Sequence, residues 1–321
     1  MNFPSLDDFR FTLDRLVPYI NKTPIISSKT FNNLFDLDIY FKLELFQKTG
    51  SFKPRGALNK ILKLNKIQHK KGVIAISAGN HAQATAWACS QFGIKSKIVM
   101  PYGASPSKIE ATKSYGGEVI ITKENMMDIC NEIKIKEDLT FVHPFDDIDV
   151  IIGQGTLSLE VINKIKNLDY AFISIGGGGL ISGMACVLKL INPKIKIIGV
   201  EPINSNVMTR SIESNKPELF DTKKNKTIAD TLAAPFAGDL TFEFVKRYVD
   251  YIINVSEKEM VESLKLIIER LKIVPEPSAA ACFVPIFKKK GRMKPKSKSL
   301  VVICGGNVDL DKIKHLFWEM D

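Results

Sequence analysis

Short apolar runs alternate with amphipathic stretches along most of this 321-residue chain. The runs at Gly72–Ser77, Lys97–Met100, Glu118–Thr122, Ala171–Ile175, Ile195–Val200 and Ser299–Cys304 are dominated by Ile and Val without polar alternation. Such runs predict strands buried on both faces. Between them, helical spacing covers 80–92, 105–115, 155–165, 179–191 and 256–272. In the last of these, Met260, Leu264, Ile267 and Leu271 recur every three to four residues, opposite a Glu/Lys-rich face. Strand and helix in alternation predict an α/β fold with parallel sheets and crossover helices. No internal repeat and no low-complexity linker breaks the pattern.

Composition adds limits to that picture. With 45% hydrophobic and 25% charged residues the chain is an ordinary globular one, which excludes disordered, collagenous and coiled-coil classes. At about 150 residues per domain its length predicts two domains. The formal net charge of +10 raises nucleic acid as a partner. Only seven of the 45 basic residues are Arg, however, and a Lys-rich balance fits a solvated surface better than phosphate or base readout. Nucleic acid is therefore not expected, and a basic polyanion-binding protein is kept as the non-enzymatic alternative. The densest basic segment, residues 288–298, contains Gly291 and Pro295 and precedes a strand. It predicts a solvated connecting loop, with an anion-binding patch as the alternative.

Five Cys, an odd number without a CxxC pair, exclude a disulfide scaffold and a zinc ribbon. The four His make no HExxH pattern. The N-terminal MNFPSLDDFRFTL lacks the basic and apolar regions of a signal peptide, and no 18-residue apolar run occurs. These features predict a cytoplasmic protein with no membrane partner.

Three loops carry candidate chemistry. In FKLELFQKTGSFKPRGALNK, residues 41–60, a short strand pattern leads to Phe52 and Lys53 just before Pro54 and a helix that begins near Arg55. A lysine becomes an amine nucleophile when an apolar pocket desolvates it, although a solvated lysine at a helix entrance has the same local sequence. In AISAGNHAQATAWA, residues 75–88, a strand ends at Ser77 and a helix begins at Asn80 or His81. The turn Ser77–Ala78–Gly79–Asn80 then offers free N–H groups to a carboxylate, unless Asn80 is an ordinary N-cap. In the third, Gly176–Gly177–Gly178–Gly179 follows a strand and opens a helix. Its spacing fits neither GxGxxG nor GxxxxGK[ST]; a single phosphate group suits it better than a nucleotide.

FQKTGSFKPRGA, SAGNHAQ, GQGT at 153–156, GGGG at 176–179 and CGGN at 304–307 occur in the order and spacing of one family. From about Pro4 to Asp311 the chain resembles the fold-type-II pyridoxal-phosphate enzymes of the serine/threonine dehydratase and serine racemase group. The resemblance implies two parallel or mixed-sheet domains of the tryptophan synthase β-like architecture. Residues 1–71 and 147–321 would form a large cofactor-binding domain, and 72–146 a small inserted domain that closes over the substrate.

The same resemblance implies the site. Lys53 matches the Schiff-base lysine and Phe52 the aromatic residue beside it. Gly176, Gly177, Gly178 and Gly179 match the phosphate loop, and Asn80 the contact to the 3′-oxygen. Glu276 also counts as a cofactor contact, and Cys304 stands where the family usually has Ser beside the pyridine nitrogen. Ser77, Ala78, Gly79, Asn80 and His81 match the turn that clamps the substrate carboxylate. Racemases of the group carry Ser where this chain has Ala78, so dehydration of L-threonine, L-serine or a related 3-hydroxy amino acid is expected. The HPFDD segment at 143–147 is also dehydratase-like. Serine racemase and 3-hydroxyaspartate dehydratase are the enzymatic alternatives, and Thr231, where relatives often have Gly, bears on the choice of substrate. A divalent cation (Mg, Ca or Mn) is implied at Glu201, although Val207 replaces the second acid of that site. A homodimer or homotetramer is expected. The chain ends soon after its CGGN motif, so isoleucine feedback through an appended regulatory domain is not.

Overall fold

The computed structural model describes residues 2–222 and 224–318. Its strands are β1 (Ile25–Ser27), β2 (Asp38–Leu43), β3 (Val73–Ile76), β4 (Ser96–Pro101), β5 (Glu118–Thr122), β6 (Thr140–Phe141), β7 (Tyr170–Ser174), β8 (Lys196–Pro202), β9 (Tyr251–Val255) and β10 (Lys298–Ile303). They form a six-stranded sheet in the order β1-β2-β10-β7-β8-β9 and a four-stranded sheet in the order β5-β4-β3-β6. Every neighbouring pair is parallel except β1 with β2. The smaller sheet is built wholly from residues between β2 and β7, whereas the larger draws on chain before and after it. Among the described residues no helix is long and apolar enough to cross a membrane.

All six predicted strands are present, with ends shifted by no more than two residues. Strands β7 and β10 lie at the centre of the larger sheet, where Phe172, Ile173, Val301 and Val302 are fully buried. Burial on both faces fails for β5, whose Glu118 and Ile121 are exposed because the strand is an edge of the smaller sheet. The β1, β6 and β9 strands are short or flanked by polar residues and carry no such run. The predicted helices at 80–92, 105–115, 179–191 and 256–272 appear as Asn80–Ser90, Pro106–Ser114, Gly179–Ile191 and Glu257–Leu271. The one predicted at 155–165 begins earlier, at Ile148, where the Asp147 carboxylate accepts from the N–H groups of Asp149 and Val150. Its Gly153 and Gly155 are poor helix formers. In the fold they are points of close approach, since a Cβ at either would overlap backbone of Arg55 or Gly183.

A buried ionic cluster ties β2 to the helices Pro54–Ile61 and Ile148–Lys164. Arg55 donates to both oxygens of Glu44 at 2.8 and 2.9 Å and pairs with Glu160 at 2.7 Å. Lys42 reaches the other oxygen of Glu160 at 2.6 Å and the Thr23 carbonyl at 2.9 Å. Two cations and two anions cancel, which is how four charges are tolerated away from water. The basic segment after residue 287 behaves as a solvated loop. Lys288 pairs with Glu262 and Lys290 with Glu259, and Lys289, Arg292, Lys294 and Lys296 are exposed.

Candidate active site

The start of the Pro54–Ile61 helix, the start of the Asn80–Ser90 helix and the glycine turn after β7 converge on one cavity of about 370 Å³. It lies between the two sheets. Of the residues singled out in the sequence, Phe52, Lys53, Ser77 to His81, Gly176 to Gly179, Glu276 and Cys304 all line it. Glu201 and Val207, named for the cation, do not.

Lys53 is the N-cap of its helix, and its Nζ donates to the Pro144 carbonyl at 2.7 Å while lying 5.2 Å from the centre of the Phe52 ring. Burial pushes the amine down to about 8, against the opposing pull of Cys304 and Glu276. An amine in that range is unprotonated often enough near neutral pH to act as nucleophile and as base.

Asn80 is the first residue of its helix and not the cap. Gly79 takes the cap position without a side-chain cap hydrogen bond. The N–H of Gly79 donates to Ser77 Oγ at 3.1 Å and that of Ser77 to the Val99 carbonyl, so these two are engaged. Those of Ala78 and of 80–82 find no acceptor among the described residues and sit at the positive end of the helix dipole. The His81 imidazole contributes differently from the main chain. Its Nε2–H donates to the Val142 carbonyl at 2.9 Å, which leaves a buried Nδ1 with no partner. Burial holds this ring down to about 3, so it stays neutral and offers a carboxylate no proton. A carboxylate here meets backbone N–H groups and the Ser77 hydroxyl, which accepts from Gly79 and keeps its own proton to donate.

After β7 the N–H groups of residues 176–181 have no acceptor among the described residues, and the Gly179–Ile191 helix has no side-chain cap. Gly178 has a φ of 92°, and a Cβ on Gly177 would overlap the Phe145 ring. Glycine is thus required both to aim the N–H groups and to let the Phe145 loop approach. Six unpaired donors at a helix start make a cradle for a phosphate group. Together with a desolvated lysine, the Phe52 ring and the neutral Cys304 thiol, which burial pushes well above its ordinary range, these residues fit pyridoxal phosphate.

Glu276 closes one wall of the cavity. It accepts from Asn80 Nδ2 at 2.9 and 3.2 Å and from Thr231 Oγ1 at 3.0 Å. Burial pushes its carboxyl up to about 7, with Asp230 adding to the rise and the hydrogen bonds opposing it.

The cation expected at Glu201 does not fit. Glu201 is buried at the end of β8, where its two oxygens accept from the N–H groups of Met208 and Thr209 at 3.0 and 2.8 Å and from Thr209 Oγ1 at 2.6 Å. The carboxylate closes off the Val207–Ser214 helix, and three of its four acceptor sites are taken by the protein. No group of three His, Cys, Asp or Glu able to hold a metal ion gathers among the described residues.

Among the lining residues given no site role in the sequence, four bear on the chemistry. His143 accepts through Nδ1 from the N–H groups of Phe145 (3.2 Å) and Asp146 (2.7 Å), and burial lowers it to about 4. Lys108 reaches across the cavity mouth to Asp230 at 2.9 Å. Met126 and Met127 supply apolar surface. HPFDD marked the first of these as unusual, but nothing local marks the other three.

The family model described as pyridoxal-phosphate dependent enzyme matches residues 16–305. Serine racemase of Schizosaccharomyces pombe is 39% identical, over 97% of both chains. The L-threonine dehydratase catabolic TdcB of Escherichia coli strain K12 is 39% identical over 97% of this chain and 95% of its own. Among solved structures, that of maize serine racemase superposes with a TM-score of 0.91 at 36% identity, covering 98% of this chain and 97% of that one.

Proposed function

This chain belongs to the pyridoxal-phosphate dependent enzyme family, and on that premise we propose that it is a dehydratase of small 3-hydroxy amino acids. It removes water from L-threonine or L-serine, and the resulting enamine takes up water again to leave a 2-oxo acid and ammonia. Ala78 is the observation that carries this choice within the family. Inversion at Cα needs a proton donor on one face and an acceptor on the other. Lys53 provides one, and at the turn facing it the methyl of Ala78 moves no proton.

When bound, pyridoxal phosphate supplies a sink for the electron pair left at Cα. The backbone N–H groups of residues 176–181 would hold its phosphate, with Phe52 and Cys304, which line the same cavity, as the residues that would receive its ring. Cys304, kept neutral by burial, would supply no full charge to that ring, which would favour prompt loss of a β-substituent. The N–H groups at the start of the Asn80–Ser90 helix bind the substrate carboxylate. Lys53 takes the α-proton, an act for which an amine near 8 is suited. Closure of the inserted unit over the cavity excludes water while this happens.

The walls favour a small, uncharged side chain. Met126, Met127, Phe141, Phe145 and Phe236 are apolar, and Lys108 is already committed to Asp230, so among the described lining residues no lysine or arginine beyond Lys53 is left for a second carboxylate. This argues for threonine or serine over 3-hydroxyaspartate. Similarity to the Schizosaccharomyces pombe serine racemase supports racemisation as the second reading.

One panel decides between them. The holoenzyme is offered L- and D-threonine, L- and D-serine and 3-hydroxyaspartate, with 2-oxo acid release and enantiomer composition followed together. The expected result is oxo acid from the L-threonine or L-serine reaction with substrate chirality retained, and loss of both turnover and borohydride-fixed cofactor in Lys53→Ala. Net racemisation faster than oxo acid release would overturn the assignment.

A further inference from the structure

We infer that the hydroxyl of Thr231 is a positioning group, holding Glu276 on Asn80 and thereby fixing the turn of residues 77–81 over the cavity. The inference deepens the proposed function and rests on it for the substrate-binding role of that turn.

Thr231 Oγ1 lies 3.0 Å from Glu276 Oε1 and 2.6 Å from Ser278 Oγ. A carboxylate only accepts, so the single Thr231 proton goes to Glu276 and Ser278 donates to Thr231. Glu276 in turn accepts from the Asn80 amide, and Asn80 Oδ1 accepts from Asn307 Nδ2 at 2.8 Å. The Asn307 amide also donates to the Thr49 carbonyl at 2.7 Å. A continuous chain of hydrogen bonds thus runs from Ser278 through Thr231, Glu276, Asn80 and Asn307 to the loop before Lys53. Asn80 is its one member from the unit that bears the smaller sheet. Thr231 touches that unit a second time, because its methyl carbon lies 3.6 Å from where a Cβ on Gly79 would stand.

The charged and titratable groups facing Glu276 are Asp230, Lys108, Lys53 and Cys304. None of them donates a hydrogen bond to its carboxylate. The direct donors are Asn80 and Thr231, and both favour the ionised form. Glu276 titrates higher in the folded protein than its ordinary value of 4.5, so its ionisation costs stability as pH rises from about 5 through 7. Removal of the Thr231 donor raises this carboxyl further and steepens the loss.

Thr231→Val keeps the shape and drops the hydroxyl, whereas Thr231→Ser keeps the hydroxyl and drops the methyl. Both are compared as holoenzymes by melting temperature at pH 5 and pH 8 and by KM and kcat for the best substrate of the panel. The Val variant is expected to fall further below the Ser variant at pH 8 than at pH 5. Its KM rises about tenfold, the worth of one hydrogen bond to a charged group, with kcat held within about threefold. The same melting difference at both pH values, or a Val-variant KM within about twofold of that of the Ser variant, overturns the inference. If the wild type releases no oxo acid and does not racemise, the proposed function fails while the melting comparison still decides the role of Thr231.

Discussion

At the scale of single residues, the site is a set of groups each moved from its ordinary behaviour by burial. Lys53 is pushed down to about 8, and Glu276 up to about 7. An amine and a carboxyl brought toward neutrality in one cavity are a usual mark of proton-transfer chemistry. In the proposed reaction Ala78 is the converse, a position with no titratable group to move a proton. Ala78→Ser is expected to raise racemisation from near the detection limit by about tenfold or more while oxo acid release continues. Chiral analysis of recovered serine checks it, and an unchanged enantiomer ratio would return the question to other residues of the wall. Lys53 could be singled out from the order of the five motifs, though not from its aromatic and proline neighbours alone. The tautomer of His81 could not, because the Val142 carbonyl that sets it lies 61 positions away.

At the scale of elements, the catalytic parts sit at helix starts whose donors are left free. The Gly179–Ile191 helix was legible to the residue, since four glycines after an apolar run announce a sharp turn into a helix. The helix that carries Lys53 depends on something no local pattern conveys, the neutral cluster of Lys42, Glu44, Arg55 and Glu160. Removal of one charge leaves the other three unbalanced in a dry interior. Glu44→Gln is therefore expected to cost about 3 kcal/mol, measured as a shift of the urea midpoint at an unchanged slope. A change below about 0.5 kcal/mol would show that water or relaxation compensates. The 148–164 helix teaches a related lesson. Its first two turns were not predicted, and sequence does not show that Arg55 and Gly183 press against Gly153 and Gly155 there.

At the scale of the whole molecule, the two sheets meet across the cavity through few bonds. These include Asn80 with Glu276 and Asn307, Lys108 with Asp230, and Ser105 with Asp309 at 3.0 Å. Asp230 also receives Lys312 at 3.3 Å, and the two lysines hold its carboxyl below the usual range against the cost of burial. The Asp230 side chain is 47% exposed, so the pairs add little to stability and more to the orientation of the two units. Asp230→Asn is expected to change unfolding free energy by less than about 1 kcal/mol while KM rises several-fold, most at low salt. A salt-independent KM equal to that of the wild type would remove the bridge from any part in closure.

The chain by itself determined the α/β class, most of the central strands and three of the loops that carry chemistry. Those depend on burial period and on the backbone freedom of glycine, which neighbouring residues encode. Only the tertiary structure decided what each expected carboxylate touches. Glu201 and Glu276 are alike as sequence, but one is spent on a helix start eight residues away and the other meets Asn80 across 196 positions. The same holds for the +10 charge, since the lysines that matter here are the few that burial or a cross-cavity partner singles out. Desolvation and hydrogen-bond partnership assign such roles, and both are properties of the folded surroundings and not of the residue.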